Sequence, residues 1–72
     1  SISQSQQNFI TYLLEKLNWE EQHYHAFSQR IIKRPAPLTK RDGQKIIIGL
    51  MAILRKRGLQ RRAAQQEHEE HP

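Results

Sequence analysis

Apolar side chains first fall into register at Phe9, Ile10, Leu13, Leu14 and Leu17. This i, i+3, i+4, i+7 spacing lines one side of an α-helix. Ser3 or Ser5 can cap the free amides of its first turn. Asn18 closes the stripe and also reads as the start of a second helix. It is a capping residue with Glu21 three positions on, close to a capping box, and Glu20 and Glu21 suit the positive end of a helix dipole. The second stripe is Trp19, Tyr24, Phe27 and Ile31, with His23 at its margin. Pro35 disfavours helix in the residue before it, so this helix is expected to end by Arg34.

Lys33-Arg34-Pro35-Ala36-Pro37-Leu38 reads as a stiff connector, because each proline fixes its own backbone and donates no hydrogen bond. Leu38 is expected to pack on the core. Thr39 then reads as an N-cap, with Asp42 as a short capping-box acid. The third helix is expected from about Lys40 to Arg57, with Gly58 as its stop. Its buried stripe is Ile46, Ile47, Leu50, Met51 and Leu54, widened by Ile48 and Ile53. The run Ile46-Ile47-Ile48 could pair as a strand, but no second strand exists to meet it. Gly49 costs a helix about 1 kcal/mol relative to Ala, and close approach of a neighbouring helix would explain its presence. Residues 59–66 suit either a short fourth helix or a frayed extension, and Glu67 to Pro72 read as disordered.

The expected fold is therefore all-α. Residues 1–58 form a three-helix bundle, and residues 59–72 a basic, then acidic, C-terminal extension. Composition limits what such a fold can hold. The chain has 72 residues, 36% of them apolar, enough for one domain with a thin core. It has no cysteine, which removes disulfides and Cys-based zinc and fits a cytoplasmic protein. The longest apolar run, Ile46 to Leu54, is less than half the length of a membrane span, and no signal peptide is visible. The Ser1 start suggests one domain of a longer protein.

Charge divides the chain more sharply than hydropathy does. Residues 1–29 and 63–72 are mildly acidic. Residues 30–62 carry eleven cations against Asp42 alone, a balance of +10 within a net charge of +5. Such a concentration suits a polyanion. Arg41 and Lys45 lie four apart on one helix face, with Lys56 near that side and Arg55 and Arg57 flanking it. The candidate nucleic-acid-binding residues are Lys40, Arg41, Lys45, Arg55, Lys56, Arg57, Arg61 and Arg62, with Lys33 and Arg34 adding rim contacts. The start of the third helix, with Lys40 and Arg41 beside free amides, is also a candidate phosphate site, although ordinary capping accounts for the same residues. Tyr12 falls off its stripe and reads as partly exposed, which would let it stack on a base.

Other chemistry finds little footing. His23 and His25 point to different sides of a helix, and His68-Glu69-Glu70-His71 lacks zinc-protease spacing. No catalytic triad, Gly-rich phosphate loop or acid–base carboxylate pair is recognisable. The expectation is a non-enzymatic module with no cofactor. A rival expectation is a protein-interaction or homodimerisation module that docks through Ile48, Ile53 and Leu59.

Gln7, Ile10, Leu13, Leu14 and Leu17, then Trp19, Glu21, Tyr24 and Phe27, then Leu38-Thr39-Lys40 with Ile46, Ile47 and Leu50, form a wider pattern. Over residues 3–54 it resembles a small helical module of phage and mobile-element proteins, such as GemA-like phage regulators and the C-terminal tails of single-strand annealing proteins. The stretch Lys40 to Leu59 also resembles a basic helical segment of conjugative relaxosome accessory proteins. These resemblances imply DNA-associated work within a larger host protein, and partner-protein docking for the annealing-protein tails.

Overall fold

The computed structural model describes the backbone of residues 1–69 and the side chains of residues 1–59. It is all-α, with three helices: α1 (Gln4–Leu17), α2 (Glu21–Ile32) and α3 (Lys40–Glu69). Both α1 and α2 pack on α3, which serves as the spine of the bundle.

Helix α1 starts at Ser3. Its hydroxyl accepts from the Gln6 amide at 3.1 Å, and the Gln6 side chain accepts from the Ser3 amide, a complete capping box. Asn18 ends α1 with φ 57° and ψ 42°, a left-handed conformation that Asn tolerates better than most residues. This corrects the expectation that Asn18 caps α2. A residue committed to closing one helix cannot also present its side chain to the next. Glu20 is the N-cap of α2 and makes no side-chain capping bond. Lys33 closes α2 in the same left-handed conformation, φ 61°.

Thr39 caps α3 as expected, its hydroxyl accepting from the Asp42 amide at 3.0 Å. The helix does not stop at Gly58 but runs on to Glu69. A glycine stops a helix by taking a positive φ at the C-terminus, and no glycine here has one. Residues 59–66 therefore continue α3 rather than forming a separate fourth helix, and Glu67 to Glu69 belong to it too. The disorder expected from Glu70 to Pro72 lies outside the described residues. At 1.5 Å per residue, α3 is about 45 Å long. The molecule measures 54 × 22 × 17 Å, and its radius of gyration of 15.0 Å exceeds the roughly 11 Å of a compact chain this size.

The core is small: Ile10, Leu13, Leu17, Phe27, Ile32, Ile46 and Leu50. Trp19, Tyr24, Ile47, Ile53 and Leu54 pack against it, partly buried. Burial raises the pKa of the Tyr24 hydroxyl. Gly49 faces the Phe27 ring, and a Cβ there would lie 2.7 Å from Phe27 Cζ, so the close approach expected at this glycine is present. Several expected core residues lie outside. Phe9, Ile31, Ile48 and Met51 are exposed, because they stand at the margins of their apolar arcs, where no neighbouring helix covers them. Ile32, one step round from Ile31, is buried instead. Leu38 is 62% exposed and contributes through its backbone: its carbonyl accepts from the Ile2 amide at 3.1 Å.

The connector is fixed by polar contacts. The fully buried Ser28 hydroxyl donates to the Arg34 carbonyl at 2.8 Å, and the Gln6 side chain donates to the Lys40 carbonyl at 2.9 Å. Among the described residues, no helix is long and apolar enough to cross a membrane.

Candidate functional site

At 100° per residue, Arg41, Lys45, Ile48, Ala52, Arg55, Lys56 and Leu59 share the side of α3 opposite the buried Ile46 and Leu50. All seven are exposed, and no acidic residue falls on this side among the described residues. The helix thus gathers four of the ten candidate cations into one row. From Arg41 to Lys56 the row is about 22 Å long, or roughly six phosphate steps along one strand of a duplex. Between the two pairs of cations, Ile48, Met51, Ala52 and Arg55 line a shallow hollow of about 220 Å³.

The remaining candidates are placed differently. Lys33 and Lys40 are exposed, near the α2–α3 connector and at the start of α3 respectively. Arg34 is tied down: its guanidinium meets the Asp42 carboxylate at 2.6 Å. Arg57 lies toward the core side, and its guanidinium donates to the Leu17 carbonyl at 3.0 Å. That contact supplies a partner to the last turn of α1, where backbone carbonyls lack one. Arg61 and Arg62 lie on α3 beyond the residues with described side chains.

Asp42 explains the chemistry at the start of α3. It is 7% exposed. Burial by itself would raise its pKa, but the Leu38 amide, the Arg34 charge and the Thr39 amide outweigh this and hold it below the ordinary carboxylate value. The carboxylate reaches back past the expected capping-box position to the Leu38 amide, 3.3 Å away. A negative group of the protein's own therefore already occupies the positive end of this helix. The capping account of Thr39 to Gly43 matches this geometry.

The sequence reading missed Lys16 as a site residue. Its ammonium stands 5.5 Å from the centroid of the Tyr12 ring, and it lines a cleft of about 240 Å³ with Leu54, Arg57 and Gly58. The available signal was its i, i+4 relation to Tyr12. Tyr12 is 51% exposed, in keeping with its position off the stripe. His23 stacks on Trp19 at 3.9 Å, whereas His25 faces Glu21 at 3.6 Å, so the two histidines serve separate contacts.

No protein-family model, curated protein or solved structure matches this chain.

Proposed function

We propose that this chain is a non-enzymatic nucleic-acid-binding module that lays the outer side of α3 along a phosphate backbone. The observation that supports this is the row of Arg41, Lys45, Arg55 and Lys56, exposed, rigidly spaced and without an acid among them. Cations in such a row displace condensed counterions from DNA or RNA, and that release drives sequence-independent affinity. The resemblance to phage and mobile-element modules favours DNA. Lys33 and Lys40 add positive charge near the start of α3, and Arg61 and Arg62 add it further along the sequence.

A salt titration tests the reading. Four backbone contacts to a duplex give a log–log slope of about −3.6, so affinity falls on the order of 100-fold between 50 and 200 mM salt. Replacing Arg41, Lys45, Arg55 and Lys56 together with Glu should abolish duplex binding while leaving the helical circular dichroism unchanged. No measurable affinity for duplex or single strand at low salt, or an unaltered slope in the variant, would overturn the proposal.

A second reading has one observation in its favour. Ile48 and Leu59 are each 59% exposed and Met51 43%, beside the same cations. A partner protein could dock there, as basic amphipathic helices do with acidic surfaces. Association that grows with concentration and ignores nucleic acid would favour this reading over the first.

A further inference from the structure

Helix α1 carries an exposed strip that neither the core nor the row on α3 uses. Phe9 and Tyr12 lie one turn apart, their rings within 16° of parallel and their centroids 6.2 Å apart. They are 38% and 51% exposed. One turn further on, the Lys16 ammonium stands over the Tyr12 ring. The strip then meets α3. Lys16 shares its cleft with Leu54, Arg57 and Gly58. These residues lie on the flank of α3 toward α1, away from the side that carries Arg41 and Lys45. Gly58 lines the same cleft, and a Cβ there would meet nothing within 4 Å.

We propose that this strip is a single-strand subsite, in which a phosphate sits in the Lys16–Arg57 cleft and the adjoining base stacks on Tyr12. The inference rests on the nucleic-acid reading above and adds a preference for unpaired strands. Aromatic faces beside cations are how proteins hold single strands without reading sequence, and a paired base inside a duplex cannot offer its face in this way. Arg57 spends one N–H on the Leu17 carbonyl, and a guanidinium has five. Lys16 has a flexible four-carbon stem. When its ammonium turns from the ring to a phosphate, the ring face opens to the base. Charge complementarity favours an anionic ligand over an apolar partner, because two cations, Lys16 and Arg57, border the same cleft, although the exposed Glu15 lies one turn from Tyr12 on α1.

The test uses the whole chain with two labelled probes at low salt, a 15-nucleotide oligothymidine and a 15-base-pair duplex. Tyr12→Leu keeps an apolar side chain but removes the π face. It should weaken oligothymidine binding roughly 10-fold or more and leave duplex binding within about 2-fold, whereas Tyr12→Phe should bind both probes like the parent. Equal losses on both probes, or no loss on either, would overturn the subsite while the nucleic-acid reading stands on the parent's binding. A parent that binds neither probe overturns both.

Discussion

Along the inner side of α3, Ile46 and Leu50 are fully buried, whereas along the outer side Ile48 is 59% exposed beside Lys45 and Arg55. The contrast is sharpest within the three consecutive isoleucines. They are the same residue, yet Ile46 is buried, Ile47 partly buried and Ile48 exposed, because each step turns the side chain 100° about the axis. Residue type sets how much burial would contribute, and helical phase decides whether it happens. The inner side spends its apolar surface on holding α1 and α2. The outer side leaves apolar and cationic groups together in water, where they remain free to meet a partner.

Three substitutions test how far stability belongs to the inner side. Leu50→Ala should have the largest effect, a loss of about 2–5 kcal/mol, because a fully buried side chain leaves a cavity that its neighbours only partly fill. For a chain of this size that is a large part of the total, so urea denaturation followed by circular dichroism should find the variant largely unfolded. If Leu50→Ala instead unfolds within 1 kcal/mol of the parent, the core described above is not what holds α3.

Asp42→Asn should come next. The folded Asp42 pKa is depressed, so its contribution is complete above the unfolded carboxylate value near 4 and is lost as pH falls through the folded value. Parent and Asp42→Asn should therefore differ in melting temperature at pH 7 and converge toward pH 2. A difference that persists at pH 2 would mean that the ion pair with Arg34 is not the cause.

Gly58→Ala should have the smallest effect, and in the opposite direction. The position is helical, its φ is not positive and no neighbour obstructs a Cβ. Stability should rise by about 0.5–1 kcal/mol. A loss would show that Gly58 serves the cleft or a bend instead of merely being tolerated.

The hydrophobic period made the three helices and most of the core legible before any coordinates: Ile10, Leu13, Leu17, Phe27, Ile46 and Leu50 all stood in their stripes. Exposed Tyr12 and the crowding at Gly49 could also be read, the first from phase and the second from the cost of a glycine inside a helix. What escaped were matters of choice between equivalent local signals. Asn18 can close one helix or open the next, and nothing nearby in sequence decides between them. Gly58 can stop a helix or sit within one. Leu38 looked like a core residue because apolar character is visible in sequence, whereas the fixing of its backbone by Ile2 and Asp42 is not. Of the candidate site, the row on α3 was visible as charge at helical spacing. The engagement of Arg34 by Asp42 and of Arg57 by Leu17, and the arrival of Lys16 beside Arg57, depend on contacts across 8, 40 and 41 positions of chain.

The notch that Gly49 leaves for Phe27 also governs alignment. Two apolar helices can slide past one another by a full turn and still match hydrophobic to hydrophobic. Here a slide of one turn along α3 would bring the Phe27 ring against Lys45 or Ile53, whose side chains fill the space the ring needs. The glycine therefore works as a keyway: it gives α2 one seat on α3 and denies it the neighbouring ones, so a bundle with little core to spare still settles into a single register.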